Sequence, residues 1–129
     1  ISLPGDAIKV LLIDDDLLVL DALRTLISSW NMQVTDFSSI AEMLLYLEEN
    51  KDYRYDVIVS DFQLSETENG LDAIAAAKRH LGEIPALIVS ATEDTELIQS
   101  IKASGIRRLK KPVKPAKLRA LINHLSMNS

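Results

Sequence analysis

Ile8-Lys9-Val10-Leu11-Leu12-Ile13 runs straight into Asp14-Asp15-Asp16, and a second apolar run, Val57-Ile58-Val59-Ser60, ends in Asp61. Unbroken apolar runs of this length, closed by polar residues, predict parallel strands covered on both faces. Carboxylates at the exits of two such strands repel one another and oppose folding unless a positive charge lies between them. A divalent cation is the usual source of that charge, so these four aspartates set the reading of the rest of the chain.

Outward from the two runs, strand and helix patterns alternate five times. After the strand over 8–13, apolar positions Val19/Leu20, Leu23, Leu26/Ile27 and Trp30 recur at helical spacing over 17–30. A short strand over 33–37 precedes a helix that Ser38 or Ser39 caps, with Ile40, Met43/Leu44 and Leu47 on its core face. The strand over 57–60 leads into a loop ending at Asn69-Gly70, then a helix over 71–81 that stops at Gly82. Residues 85–90 form the fourth strand, with Pro85 at its tolerated first position. Thr92 is the expected cap of a helix over 93–104, with Gly105 just past its end. A fifth strand spans 106–110, and Pro115 sits in the first turn of a last helix over 114–127. Strict alternation predicts an α/β fold: a doubly wound parallel sheet with helices on both faces and right-handed crossovers. Residues 1–129 read as a single domain with its core over 7–127, and residues 1–6, with Pro4-Gly5, read as a linker or turn.

The composition narrows the function classes. The 129 residues are 47% apolar and 26% charged, ordinary for a globular domain with one core. No apolar run approaches the ~18 residues that span a bilayer, and no signal peptide is recognisable. The absence of cysteine excludes disulfide and thiolate chemistry and fits a cytoplasmic protein. A net charge of -5 argues against direct nucleic-acid binding, which needs excess cations against phosphates. The glycines Gly5, Gly70, Gly82 and Gly105 form neither a dinucleotide fingerprint nor a P-loop.

In doubly wound sheets the ligand binds beyond the carboxyl ends of the strands, where strand order reverses. The polar residues of note fall on that rim: Asp14 and Asp15 after the first strand, Asp61 after the third, Ser90 after the fourth and Lys111 after the fifth. With the order 2-1-3-4-5, the first and third strands are neighbours and their carboxylates converge. Three carboxylates with few other ligands suit Mg²⁺, which keeps several waters and leaves room for a phosphate oxygen. A carboxylate can itself be the nucleophile, giving an acyl phosphate. A phosphatase using Asp61 in this way generally wants a second carboxylate two residues on, where this chain has Gln63. Asp16 reads as a helix cap or a solvated charge.

Leu12-Ile13-Asp14-Asp15, Val59-Ser60-Asp61, Val89-Ser90-Ala91 and Lys111-Pro112 together resemble the receiver domain of two-component response regulators, over essentially the whole chain. The resemblance implies a flavodoxin-like (βα)5 fold with a five-stranded sheet. It implies that Asp61 is the phosphoacceptor, that Asp14 and Asp15 are the acidic metal pair, and that Asp61 and the backbone carbonyl of Gln63 complete the Mg²⁺ ligands. Ser90 is then the switch hydroxyl and Lys111 the lysine that pairs with the phosphoryl group. A cis peptide at Lys111-Pro112 is implied too. Gln63 and Thr92 stand where the family tunes the lifetime of its acyl phosphate. Such a domain catalyses its own phosphotransfer and dephosphorylation, taking the group from a histidine kinase or histidine phosphotransfer domain.

The chain departs from the family pattern in three places. The loop after Asp61 carries Ser65 where a proline is usual, has one apparent extra residue before Asn69-Gly70, and is acidic through Glu66 and Glu68. Arg108 replaces the aromatic switch of the fifth strand, and Asp16 adds a charge beside the acidic pair. Arg107, Arg108, Lys110, Lys111, Lys114, Lys117 and Arg119 crowd into one stretch. Such a run reads first as a solvated basic face; the resemblance adds partner docking or homodimer formation through the fourth helix, fifth strand and fifth helix. The missing initiator Met and the end just after the last helix suggest a carboxyl-terminal receiver of a hybrid sensor histidine kinase, whose parent can be membrane-anchored although this domain makes no membrane contact. The alternative function is a degenerate receiver acting as a non-phosphorylated interaction module.

Overall fold

The computed structural model describes residues 6–127, so most of the linker expected over residues 1–6 lies outside it. Strands and helices alternate as β1 (Lys9–Ile13), α1 (Leu17–Ser28), β2 (Gln33–Phe37), α2 (Ile40–Glu49), β3 (Val57–Asp61), α3 (Gly70–Leu81), β4 (Ala86–Ser90), α4 (Thr95–Ala103), β5 (Arg107–Lys110) and α5 (Pro115–Met127). All neighbouring strands pair in parallel, in the order β2-β1-β3-β4-β5. This is the expected flavodoxin-like doubly wound sheet. No helix among the described residues is long and apolar enough to cross a membrane.

Alternation along the central strands divides the core in two. Val10, Leu12, Val57, Val59, Leu87 and Val89 face one side, where Leu20, Leu23 and Ile27 of α1 and Leu118 and Ile122 of α5 cover them. Leu11, Ile13, Ile58 and Ile88 face the other, under Ile40, Met43 and Leu47 of α2, Ile74 and Ala77 of α3 and Ile101 of α4. Continuous apolar strands result because both faces are dry. The three central strands carry most of this burial, so their ends are rigid places on which to mount charged groups.

Helix ends follow local chemistry. The Asp16 carboxylate accepts the N–H groups of Leu18 and Val19 and caps α1, and Ser39 caps α2 through the N–H of Glu42. Asn69 and Asp72 form a reciprocal capping box at the start of α3. Two expectations need correction. The first helix ends at Ser28 rather than Trp30, because Asn31 turns the chain with a φ of 61°, a left-handed conformation asparagine tolerates. Trp30 still packs against the α1–α5 side of the core from outside the helix.

The second correction concerns α4, which starts at Thr95 and is capped by Asp94, not Thr92. The Asp94 carboxylate accepts from both Glu96 and Leu97 N–H groups. Its charge also complements the helix dipole, an advantage a threonine hydroxyl lacks. The Thr92 hydroxyl instead accepts the N–H of Asp94 at 3.2 Å.

Gly70 fixes how α3 meets the end of β3. Its N–H donates to the Phe62 carbonyl at 2.6 Å. A Cβ there would lie 2.6 Å from the Asp61 carbonyl oxygen and 3.2 Å from the Phe62 Cα. Both neighbours are backbone, so neither yields cheaply. Gly70→Ala should therefore lower stability by about 1–3 kcal/mol in urea unfolding; an unchanged midpoint would show that α3 can slide away from β3.

Candidate functional site

Sheet register assembles the site. Ile13 is level with Ser60, and Asp61 with Val89, so the residues just beyond the strands emerge side by side. Hydrogen bonds of sheet type continue past the strand ends: Asp14 N–H to the Phe37 carbonyl (3.1 Å), Phe62 N–H to Val89 (2.9 Å) and Lys111 N–H to Ser90 (2.9 Å). The backbone carrying Asp14, Asp61 and Lys111 is thus held by the same ladder as the core. Oxygen atoms of Asp14, Asp15 and Asp61 lie within 4.8 Å of one another.

The three carboxylates differ in environment. Asp14 is 1% exposed; one of its oxygens accepts the Asp16 N–H at 2.9 Å, and Oδ2 is buried without a hydrogen-bond partner. A buried, unpartnered carboxylate oxygen is costly and calls for a cation. Burial pushes the Asp14 carboxyl up to about 6, the charges of Asp61 and Asp15 add to this, and the Asp16 N–H and Lys111 oppose it. Asp15 is exposed. Asp61 is 9% exposed and bonded to Lys111, Nζ to Oδ1, at 2.8 Å. Burial raises the Asp61 carboxyl above its ordinary value, and the bond to Lys111 pulls it back. Burial works against the Lys111 charge, but its bond to Asp61 and the neighbouring carboxylates outweigh it and hold the ammonium above its usual range.

Asp61 stands between two cavities. One, on the acidic side, is lined by Asp14, Asp15, Asp16, Asp61, Ser65 and Glu66, together with Gln63 and Lys111. The other, of about 280 Å³, is lined by Asp61, Phe62, Gln63, Ser90, Ala91, Thr92, Leu97 and Lys111. Asp61, Gln63 and Lys111 belong to both. The donor set of the first, all oxygen and centred on an orphaned carboxylate, fits a hard divalent cation. The second brings a hydroxyl and an ammonium to the opposite side of the same carboxylate, as an anion requires.

The loop after Asp61, the segment least like the family pattern, folds back on itself. Gln63 bridges to Asn69, secured by Gly70 N–H to Phe62 and Leu64 N–H to the Glu68 carbonyl (3.3 Å), a pairing that leaves the Gln63 carbonyl out of the ladder. The Ser65 hydroxyl accepts the N–H groups of Thr67 and Glu68, which closes the turn without a proline. The Lys111–Pro112 peptide is cis. Thr92 lines the second cavity, whereas Arg108 is not part of that lining and donates from Nη2 to the Thr92 carbonyl at 3.0 Å. Leu97, absent from the sequence-based site, also lines that cavity. Only the true start of α4 at Asp94–Thr95 would have placed Leu97 in a first turn facing Asp61.

Residues 10–123 match the family model of the response regulator receiver domain. A putative two-component response regulator from Arabidopsis thaliana is 30% identical over 105 residues, covering 81% of this chain and 24% of the relative. A two-component response regulator from Oryza sativa subsp. indica is 28% identical over 119 residues, 92% of this chain and 34% of its own length. The chain thus spans about a quarter to a third of these curated relatives. Among solved structures, a response regulator receiver domain protein from Clostridium thermocellum superposes with a TM-score of 0.81 at 24% identity, covering 94% of this chain and 95% of that one. Fold, strand-end aspartates and family match agree: the chain belongs to the receiver domains of two-component response regulators.

Proposed function

We propose that this domain accepts a phosphoryl group from a phosphohistidine onto Asp61, with Mg²⁺ held by Asp14, Asp15, Asp61 and the backbone carbonyl of Gln63, and that the aspartyl phosphate relays a signal. The observation that carries the reading is the position of Asp61, bonded to Lys111 and shared by an acidic cavity and a hydroxyl-bearing one. In the transfer, an Asp61 carboxylate oxygen forms a bond to phosphorus as the N–P bond of the donor breaks. The electron pair of that bond returns to the imidazole, which takes up a proton. Lys111 exchanges its bond with Asp61 for one with a phosphoryl oxygen, and Ser90 donates its hydroxyl proton to another. Bound Mg²⁺ supplies the positive charge that offsets the phosphoryl oxygens and the three carboxylates.

Asp14, Asp15, Asp61, Ser90 and Lys111 together favour phosphorylation over a degenerate interaction module. The donor is a histidine kinase or a histidine phosphotransfer domain, and the site of action is the cytoplasm. Self-association through α4, β5 and α5 is a further element of the proposal, motivated by the cations from Arg107 to Arg119.

Incubation with phosphoramidate and Mg²⁺ should add one phosphoryl group by intact mass, and Asp61→Asn should add none. An unchanged wild-type mass, with a known receiver labelled in parallel, would contradict the proposal.

A second expectation follows from Asp14. Its folded-state value of about 6 lies above the ordinary 3.8, so its contribution to stability is complete below that ordinary value and is lost as pH rises through about 6. In chelator at about pH 7.5, Asp14→Asn should be more stable than wild type by about 1–3 kcal/mol, and the gain should shrink by about pH 5. Saturating Mg²⁺ should raise the wild-type Tm and leave that of Asp14→Asn nearly unmoved. A less stable Asp14→Asn in chelator would refute the electrostatic account.

A further inference from the structure

The connection between β4 and α4, residues 91–94, is the part of the site least supported by the core. Ala91, Glu93 and Asp94 are exposed, and Ile101 is the one buried side chain of α4. Thr92 is nevertheless pinned at both of its backbone polar groups. Its N–H donates to Ser90 Oγ at 3.1 Å, and its carbonyl accepts Arg108 Nη2 at 3.0 Å. Arg108 is level with Ile88 in the sheet, and Ile88 lies on the face that α4 covers, so the guanidinium approaches Thr92 from beneath that helix. Lys110, two residues on, pairs with Glu93 at 3.6 Å. That pair is exposed and adds little. Arg108 Nε is buried without a partner, a cost borne to keep the guanidinium in this place.

From this geometry we infer that Arg108 is a positioning residue: its hydrogen bond to the Thr92 carbonyl fixes the 91–94 connection so that the Ser90 hydroxyl is aimed into the cavity beside Asp61. The Thr92 N–H occupies an acceptor site on Ser90 Oγ, which leaves the Ser90 hydroxyl proton as the group that can be donated to an incoming oxyanion. Thr92 and Leu97 line the same cavity, so the fixed connection also sets the width of its mouth. Without Arg108, Thr92 loses its anchor on β5, its N–H bond to Ser90 Oγ opens more often, and the Ser90 hydroxyl loses its fixed aim. The metal-binding side, made by Asp14, Asp15 and Asp61, does not touch this chain of bonds. The inference rests on the phosphoacceptor reading for its chemistry and on hydrogen bonds alone for its geometry.

Arg108→Met keeps the apolar stem under α4 and removes the donor, so it is the variant to use. Phosphorylation of Asp61 by phosphoramidate should slow about 3- to 10-fold in Arg108→Met, with the Mg²⁺ affinity unchanged. In a Ser90→Ala background the same substitution should change the rate by less than about twofold, because the group it positions is gone. By NMR, the Thr92 amide should exchange about 10-fold faster in Arg108→Met while the Val89 amide in β4 keeps its wild-type rate. Equal slowing in both backgrounds, or an unaltered rate in Arg108→Met, would overturn the positioning role. Unaltered Thr92 exchange would overturn the tether itself. A wild-type chain that takes no phosphoryl group would overturn the phosphoacceptor reading and the kinetic role with it, whereas the exchange measurement judges the tether independently.

Discussion

Three carboxylates brought within 4.8 Å by a parallel sheet form the constraint on which the rest of this domain depends. Like charges so close, one of them on a fully buried side chain with an unpartnered oxygen, oppose folding. The sheet imposes the arrangement because Asp14 follows β1 and Asp61 ends its neighbour β3, and apolar residues on both faces set their register. A slip of one residue would turn those residues to the wrong layer, so the core holds the charges in place. Lys111 offsets part of the repulsion through its 2.8 Å bond to Asp61, and a divalent cation is the natural partner for the remainder.

Asymmetry around Asp61 turns that constraint into chemistry. On one side the carboxylates of Asp14, Asp15 and Asp16 gather; on the other, the Ser90 hydroxyl faces a cavity of about 280 Å³, and the Lys111 ammonium borders both. A phosphoryl group on Asp61 would meet positive charge or a proton donor in either direction. The far wall of that cavity belongs to the 91–94 connection, tied to Ser90 on one side and to Arg108 of β5 on the other. Thr92 thus joins the cavity beside Asp61 to β5 through its two backbone bonds. An arginine serves here where an aromatic ring is usual, and its fixed hydrogen bond is a different device from a ring that swings.

Much of this was legible in the residues. Apolar runs ending in Asp14, Asp61 and Ser90, with Lys111 after the fifth strand, locate the site because strand ends in a doubly wound sheet share one rim. Helix starts were harder. Thr92 and Asp94 both suit an N-cap; Asp94 takes the place by accepting from Glu96 and Leu97, while Thr92 is held in the connection by Arg108, a contact 16 residues away that no local pattern encodes. The loop after Asp61 was opaque for a similar reason. Ser65 replaces proline by organising the turn with its hydroxyl, a role indistinguishable in sequence from a solvent-facing serine.

The most direct test is a crystal structure of the chain with Mg²⁺ and beryllofluoride. The account places the cation among Asp14, Asp15, Asp61 and the Gln63 carbonyl, with the beryllofluoride on an Asp61 oxygen and its fluorines against Lys111 Nζ and Ser90 Oγ. A cation bound elsewhere, or beryllofluoride absent from Asp61 at saturating concentration, would contradict it.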